Sequence, residues 1–300
     1  MDRDNKTAAA LGMFDGVHIG HIGVINSVLG QVNRGRQENL SPAVFTFRTL
    51  YKSGGSILPY KMKFDMLKAA GVKTVYSSDF ESVRDLSAEE FVRRILIGKM
   101  NCKHVSCGWN FRFSKNAGAD SEDLRRICSK HGIEVCIVPP VEVDGAAVSS
   151  TRIRTAIRGG DISSANRMLG YDLTYELEVV EGAKLGRTLG FPTINQIIPE
   201  LCVLPKFGVY KSRVLIDKVT YNGVTNIGVK PTVDNNLTPL PLPLPLIETH
   251  VPGFNTDIYG QTVRVSLLEF IREEKKFSST HELKSQICAD VAGVKEICKQ

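Results

Sequence analysis

The chain has 300 residues, of which 42% are hydrophobic and 23% charged, a composition typical of a globular protein long enough for two domains. The formal net charge of +6 is spread along the chain, so it indicates no basic arm for nucleic acid, and phosphate-bearing small molecules fit it equally well. The seven cysteines form no Cys-x-x-Cys pair, which argues against a zinc cage or a disulfide framework. Because the sequence also shows no signal-peptide core and no apolar stretch long enough to span a bilayer, we expect a cytoplasmic protein with no membrane partner.

The first half of the chain alternates strand-like and helix-like patterns. Strands are predicted at residues 8–14, 43–47, 74–76, 105–107 and 134–138, and helices at residues 22–32, 62–67, 86–100 and 124–128. Two further helical patterns cover residues 151–157 and 162–169. Alternation of this kind predicts an α/β domain with a parallel, doubly wound sheet.

The second half is β-rich, with strand-like segments at residues 173–180, 209–216, 224–227 and 263–271. Short strands separated by Gly and Pro turns and followed by one helix predict a small antiparallel β-barrel with a C-terminal helix. Ser279 and Glu282 have the spacing of a capping box that opens this helix. We place the domain boundary between Gly170 and Tyr171, giving domains of residues 1–170 and 171–300.

Residues 239–246 alternate Pro with Leu. Proline cannot donate hydrogen bonds to a strand ladder, so this stretch predicts an exposed, polyproline-like excursion. A tolerated loop insertion is the favoured interpretation, and a recognition motif is the alternative.

The strongest chemical signal in the first half is the junction of the first strand and first helix, where residues 12–21 read Gly-Met-Phe-Asp-Gly-Val-His-Ile-Gly-His. Main-chain N–H groups and the positive end of the helix dipole favour an anion there, and glycines allow a phosphate to approach the main chain. His18 and His21 can donate hydrogen bonds to phosphate oxygens. A lone histidine is more often a cap or a packed side chain, but two of them around a glycine favour function.

A second helix start supports a phosphate site in the same half. Ser149, Ser150 and Thr151 precede Arg154 by about one helical turn. Taken alone, they are an ordinary helix cap followed by a solvated charge. Together the helix start and the arginine predict a second phosphate clamp.

Residues 182–195 of the second half read Gly-Ala-Lys-Leu-Gly-Arg-Thr-Leu-Gly-Phe-Pro-Thr-Ile-Asn. Thr193 and Asn195 are two apart, so in an extended segment both side-chain oxygens lie on one side, where Mg²⁺ could bind. Thr-x-Asn alone is weak evidence. Neither a Gly-x-x-x-x-Gly-Lys-Ser/Thr loop nor a Gly-x-Gly-x-x-Gly loop occurs, so any ATP site must be built without them.

These segments, in this order, resemble the bacterial bifunctional riboflavin kinase and FMN adenylyltransferase (FAD synthetase) family. Residues 12–21 resemble its His-x-Gly-His signature, and residues 182–195 its flavokinase signature. Residues 108–113, Gly-Trp-Asn-Phe-Arg-Phe, resemble its Gly-x-Asn/Asp-Phe-x-Phe loop, and residues 148–154 its Ser-Ser-Thr-x-x-Arg motif, which together imply a nucleotide pocket. The resemblance covers essentially residues 8–295. It implies a Rossmann-like adenylyltransferase domain followed by a riboflavin kinase barrel, with ATP, riboflavin, FMN and FAD as substrates and products and Mg²⁺ as cofactor.

The resemblance also implies site residues. The catalytic residues would be Glu248, His18, His21 and Arg154, and the metal ligands Thr193 and Asn195. Flavin contacts would come from Tyr259, Arg272 and Phe277. The nucleotide would be bound by Gly12, Phe14, Asp15, Gly16, Asn110, Ser150 and Thr151 in the first domain and by Gly182, Gly186, Arg187, Gly190 and Pro192 in the second.

The sequence departs from the family pattern at two places. Arg48, Thr49 and Leu50 stand where Pro-x-Pro is usual, and Ser114 stands where glycine is usual. One alternative is therefore a single-activity riboflavin kinase with an impaired adenylyltransferase domain. Another is a non-catalytic, flavin- or nucleotide-binding regulatory protein. We expect small-molecule partners, no nucleic acid, and a monomer or weak homo-oligomer.

Overall fold

A computed structural model describes residues 6–34, 39–48, 54–182, 185–229 and 245–294 of the chain. The chain divides into two compact units, Met1–Ser150 and Thr151–Gln300. Within the described ranges, no helix combines the length and the apolar composition that crossing a membrane would require. Thr49 and Leu50, and residues 239–244 of the Pro-Leu stretch, lie outside the described residues.

The first unit contains a five-stranded, all-parallel sheet with the order β3-β2-β1-β4-β7. Two short antiparallel hairpins, β5 with β6 and β8 with β9, accompany it. The strands are β1 (Thr7–Leu11), β2 (Ser41–Phe47), β3 (Thr74–Ser78), β4 (Cys102–Gly108), β5 (Arg112–Phe113), β6 (Ala119–Asp120), β7 (Glu134–Val138), β8 (Glu142–Val143) and β9 (Ala146–Ala147). The predicted parallel sheet is confirmed.

Helices cover both faces of this sheet. They are α1 (Ile19–Arg34), α2 (Tyr60–Ala69), α3 (Ala88–Glu90) and α4 (Ser121–Ser129). The next helix, α5 (Ser150–Gly159), begins at the last residue of the first unit and otherwise belongs to the second. The central strand β1 is fully buried, with Ala9 packed in one core layer and Ala8 and Ala10 in the other. Strand order reverses between β1 and β4, and the crevice at the carboxyl ends of such strands is where open α/β sheets bind ligands.

The predicted helix at residues 86–100 has a different geometry from an ordinary α-helix. A capping box at Ser87 starts one α-helical turn, and Phe91–Lys99 then continues as a π-helix. Its apolar face is buried through Phe91, Val92 and Leu96. The spacing of the apolar residues predicted the buried face of this helix. It did not predict the wider turn of a π-helix, because residues at this spacing lie on one side of either helix type.

The second unit is built on a six-stranded antiparallel sheet with the order β10-β15-β12-β13-β14-β11. The strands are β10 (Leu173–Glu178), β11 (Thr193–Ile197), β12 (Gly208–Ile216), β13 (Val219–Val229), β14 (Pro245–His250) and β15 (Thr262–Arg272). The sheet curls so that Val180, just after edge strand β10, donates its N–H to Asn195 O of edge strand β11 at 2.8 Å. The predicted small barrel is confirmed as this curled sheet.

Alternation along the strands separates a buried interior from an outer face. The interior contains Tyr175, Gln196, Tyr210, Val265 and Leu267, all at most 1% exposed. The last helix, α8 (Thr280–Ala292), packs on the outer face near β13, and the short α7 (Leu185–Leu189) precedes β11. The Ser279 cap accepts from Glu282 N at 3.2 Å, but the Glu282 carboxylate bonds to Ser278 instead of completing the box.

Helix α6 (Ile162–Leu169) packs against β10 and β15 in the second unit. Its Asn166 side chain accepts from Leu173 N at 2.8 Å and donates to Leu267 O at 2.9 Å. The predicted boundary between Gly170 and Tyr171 stays a prediction. The packing adds that this helix, which precedes the boundary, supports the curled sheet.

Candidate active sites

The glycine loop, which we define as residues 12–18, leaves β1 and enters α1 at the carboxyl edge of the parallel sheet. Three residues of this loop have a positive φ: Phe14 (49°), Gly16 (80°) and Val17 (34°). Such values are uncommon for residues with a side chain and costly for a β-branched one. A Cβ atom at Gly16 would lie only 2.9 Å from the Ile57 side chain, which is too close. The loop is therefore held in a conformation that its residues would not adopt unaided.

Side chains from elsewhere in the first unit hold this loop. The Asp15 carboxylate accepts from Ile57 N at 2.8 Å, and Ser150 Oγ donates to Asp15 O at 3.0 Å. Thr46 Oγ1 donates to Met13 O at 2.9 Å. Phe14 is fully buried and packs beneath Gly12. Asp15 and Phe14 thus hold the loop in place, and nucleotide binding by these two residues stays a prediction.

The two predicted histidines lie against each other. Their rings stack with centroids 3.5 Å apart, and His18 Nδ1 accepts from His21 N at 3.3 Å. Burial lowers the pKa of His18 to about 4. Burial also lowers the pKa of His21 well below its usual value, with repulsion from His18 and Lys63 adding to the effect. Both rings are therefore neutral near pH 7, and the His18 proton is on Nε2, which makes it a neutral hydrogen-bond donor.

Lys63 is a residue of this region that the sequence analysis missed. It lies on α2 and is only 3% exposed. Its Nζ donates to Phe47 O at 2.7 Å, with Thr46 Oγ1 at 3.4 Å and Met13 O at 3.5 Å. Burial lowers the pKa of Lys63 to about 8 although Asp15 attracts the charge. The signal was its position four residues before the buried Leu67, on the apolar side of the helix.

The other predicted nucleotide contacts are divided between the units. Asn110 is exposed in the loop after β4, with its Oδ1 close to the main chain of Gly108. Ser150 starts α5 and reaches the glycine loop through Asp15. Thr151 and Arg154 follow on α5 in the second unit, where Arg154 is buried and Thr151 exposed. Their roles stay predictions.

In the second unit, strand register aligns three polar residues across the outer face of the sheet. Glu248 on β14 lies directly opposite Asn195 on β11 and opposite Asn226 on β13. Side chains directly opposite each other in antiparallel strands point to the same face, with Cβ atoms about 4.5–5.5 Å apart. The structure thus brings together the predicted base and a predicted metal ligand, and it adds Asn226 beside them.

The residues predicted to bind Mg²⁺ fit that role. Thr193 and Asn195 lie on the same side of β11, and Thr193 is opposite His250. The Asn195 amide donates to Thr193 O at 3.2 Å, whereas its buried Oδ1 has no hydrogen-bond partner within the described part of the chain. A buried oxygen acceptor that the protein leaves unsatisfied suits a hard cation.

The segment before β11 is shaped by close main-chain approaches. An atom added at Gly186, in α7, would collide with Phe191 O, and Gly190 has a φ of 88°. Gly182 lies so close to the Asn195 amide that a Cβ would meet it at 2.5 Å. His250 Nδ1 donates to Pro192 O at 2.9 Å, which fixes the chain entering Thr193. Three predicted glycines are therefore required by contacts or by φ.

A small, open cleft lies beside this segment. Four predicted residues line it: Arg187, Pro192, Thr193 and Tyr259. Arg272 and Phe277, the other predicted flavin contacts, are not part of its lining. Arg272 instead forms a two-pronged ion pair with the buried Asp290 of α8, at 2.7 and 3.1 Å, and lies over the Phe277 ring. A flavin-binding role for Arg272 stays a prediction.

Known proteins match almost the whole length of this chain. The FAD synthetase family model matches residues 1–152, and the riboflavin kinase model, Flavokinase, matches residues 169–298. The bifunctional riboflavin kinase/FMN adenylyltransferase of Bacillus subtilis is 32% identical, covering 95% of this chain and 90% of its own. That of Pseudomonas fluorescens is 33% identical, covering 96% and 92%. A crystal structure from Streptococcus pneumoniae, named a macrolide-efflux protein, superposes with a TM-score of 0.85 at 31% identity, covering 97% and 94%. The chain belongs to the bifunctional riboflavin kinase/FMN adenylyltransferase family.

Proposed function

We propose that the two activities of this family are carried by separate sites, adenylyl transfer at the glycine loop of the first unit and phosphorylation on the outer face of the second. As a member of the family, the chain converts riboflavin to FMN and FMN to FAD, with ATP as co-substrate in both steps. The observation that carries the assignment of residues is the alignment of Asn195, Glu248 and Asn226 across three strands.

In the kinase step, Glu248 is the general base. It is half-buried on β14, next to the amide side chains of its two strand neighbours. The carboxylate takes the proton from the terminal ribityl hydroxyl of riboflavin as that oxygen bonds to the γ-phosphorus of ATP, and ADP leaves. The cleft lined by Arg187 and Tyr259 reaches Thr193, the neighbour of Asn195 along β11, and would receive part of the substrate.

Thr193 and Asn195 would hold Mg²⁺ through Thr193 Oγ1 and the unsatisfied Asn195 Oδ1. When bound there, the ion would neutralise charge on the ATP phosphates. The chain's own part is to fix these oxygens: His250 anchors Pro192, and the close approach of Gly182 confines the Asn195 amide.

In the adenylyl-transfer step, an FMN phosphate oxygen attacks the α-phosphorus of ATP, and pyrophosphate leaves. The substrate supplies its own nucleophile, so the protein has to position the groups and stabilise charge. His18 donates a hydrogen bond from Nε2 to a phosphate oxygen. The neutral ring of His21, stacked on His18, is the second hydrogen-bond donor. Asn110, Ser150, Thr151 and Arg154 are the further candidates for holding the nucleotide.

Matches to both family models disfavour the alternative of a kinase with an impaired first domain. A non-catalytic binding protein would not need Glu248 in register with Asn195. A cytoplasmic location, the absence of nucleic-acid partners and a monomeric or weakly oligomeric state remain our expectations.

Replacement of Thr193 by Val tests the metal assignment, because Val keeps the shape and the strand preference but removes the oxygen ligand. The Mg²⁺ concentration for half-maximal FMN formation should rise about tenfold, the affinity change typical of disturbing a metal site. FAD formation from supplied FMN should keep its Mg²⁺ dependence. Thr220→Val, at an exposed position of β13, is the matched control. An unchanged Mg²⁺ requirement in Thr193→Val would exclude Thr193 as a ligand.

A further inference from the structure

We propose that Lys63 is a positioning residue for adenylyl transfer, whose ammonium fastens the glycine loop to the end of β2. The inference rests on the proposed function of that loop. Lys63 belongs to none of the sequence motifs. It lies on α2, outside the glycine loop and far along the chain from His18 and His21.

The contacts of Lys63 join two segments that are far apart in the chain. Phe47 O and Thr46 Oγ1 belong to the end of β2, whereas Met13 O belongs to the glycine loop. Thr46 also donates to Met13 O, so the ammonium completes a small network at the carboxyl edge of β1 and β2. This edge faces the crevice at which such sheets bind ligands. A shift of the ammonium therefore moves the main chain that precedes His18.

A purely structural role would not explain why the buried residue at position 63 is charged. Burying an ammonium is unfavourable unless its hydrogen bonds and neighbours compensate, and a neutral side chain of similar length would fill the same space. Its helix neighbours Lys61 and Lys68 are exposed, as lysines usually are. The charge also acts on the site, because its repulsion contributes to keeping His21 neutral.

Among the residues that the structure describes, three other ionisable groups face Lys63. Asp15 attracts it from the glycine loop, His21 faces it from α1, and the Tyr60 ring lies 5.2 Å away on α2 itself. Burial outweighs the attraction of Asp15 and lowers the pKa of Lys63 to about 8. The charged form is thus complete below this value and is lost as the pH rises through it. Adenylyl transfer should be lost in the same direction.

The first test is the pH profile of kcat/KM, which reports ionisations of the free enzyme. With the full-length chain, FAD formation from FMN and ATP should fall above a pH of about 8. FMN formation from riboflavin by the same preparation should not show this fall, since its site lies in the other unit. The proposal is wrong if FAD formation does not decline at alkaline pH, or if FMN formation declines in the same way. This holds whatever the variants show.

The second test uses Lys63→Met and Lys63→Arg with Lys61→Met as the matched control, because Lys61 is exposed on the same helix and pairs with Asp65. Lys63→Met should lower kcat/KM for FAD formation by about tenfold to 100-fold at pH 7, the usual result of misplaced reacting groups. Lys63→Arg, which stays charged, should keep more activity and move the decline to higher pH. Lys61→Met should resemble the wild type in both activities.

Two outcomes would overturn the inference: a Lys63→Met chain that makes FAD within about twofold of wild type, or an unchanged alkaline decline in Lys63→Arg. If either variant does not fold, the wild-type pH profiles decide alone. His21→Ala separates this inference from the proposed function. Loss of FAD formation in His21→Ala without loss in Lys63→Met rejects only the role of Lys63, whereas no loss in His21→Ala rejects the loop as the adenylylation site.

Discussion

In the proposed function, the glycine loop of the first unit and the glycine-rich segment before β11 in the second both hold phosphate groups, but by different structural means. The first lies at the ends of parallel strands, where the main chain is forced into positive φ at Phe14 and Val17 and is held by buried side chains. The second leads into a strand of an antiparallel sheet, where register places Asn195 and Glu248 side by side. A parallel sheet offers main-chain ends, and an antiparallel sheet offers rows of side chains.

This difference predicts how each site responds to change. The first site depends on loop conformation and on neutral rings buried together, so a change several residues away in space should alter it. The second depends on individual oxygen atoms projecting from a regular strand, so single-atom replacements should be decisive and local.

The largest effect is expected when the second site is separated from the first unit. Residues 151–300 are the whole second unit and keep α6, whereas residues 171–300 lose the buried Ile157, Met168 and Leu169 of α5 and α6. Each is worth roughly 1.5–3 kcal/mol of burial. The longer fragment should therefore fold and make FMN, and the shorter one should unfold at a much lower urea concentration. Equal urea midpoints would show that α5 and α6 contribute little, and a folded longer fragment that makes no FMN would reject the assignment of the kinase site.

His21→Ala should lower FAD formation by about 100-fold or more, because removing one preorganised donor costs about that much. FMN formation should stay within about twofold of wild type. Both rates are measured by chromatography of the flavin products, with exposed His131→Ala as the control. A similar loss of both activities in His21→Ala would contradict the separation of the sites.

The smallest effect concerns Ser114, which stands where the family usually has glycine. Its φ of 68° and ψ of 179° fall in a region almost restricted to glycine, and this strain costs about 1–3 kcal/mol. Ser114→Gly should therefore stabilise the protein by about 1 kcal/mol after the entropy of glycine is subtracted. The melting temperature of the first unit should rise by a few degrees in Ser114→Gly. It should fall in the control Ser129→Gly, at the end of α4. A lower melting temperature for Ser114→Gly would show that its side chain makes a compensating contact.

Much of the fold follows from the sequence because local periodicity is strong. The alternating first half and the β-rich second half predicted both sheets, and α6 was predicted at its observed bounds. Strands β11 and β14 and the short α7 were not predicted, since the glycines and prolines around them resemble loops. The π-helix at Phe91–Lys99 was also missed, because its burial pattern fits an ordinary helix as well.

The sites were predictable only as far as motifs extend. Asn195 and Glu248 were named separately, but their adjacency depends on pairing between strands more than fifty residues apart in sequence. Asn226 joins them through a second pairing that no local pattern encodes. Lys63 was missed because a lysine on an amphipathic helix is normally exposed. Its burial is set by where α2 packs, which is a tertiary property.

The most direct test of the two-site account is the pair of product rates measured on purified Glu248→Gln. Gln keeps the size of Glu but cannot accept the hydroxyl proton, and a lost general base costs about 10²–10⁴-fold. FMN formation should fall by that factor while riboflavin affinity and adenylylation of supplied FMN stay near wild type. Glu269→Gln, at an exposed position of β15 paired with Lys211, should change neither rate. FMN formation in Glu248→Gln equal to that of wild type would contradict the central claim.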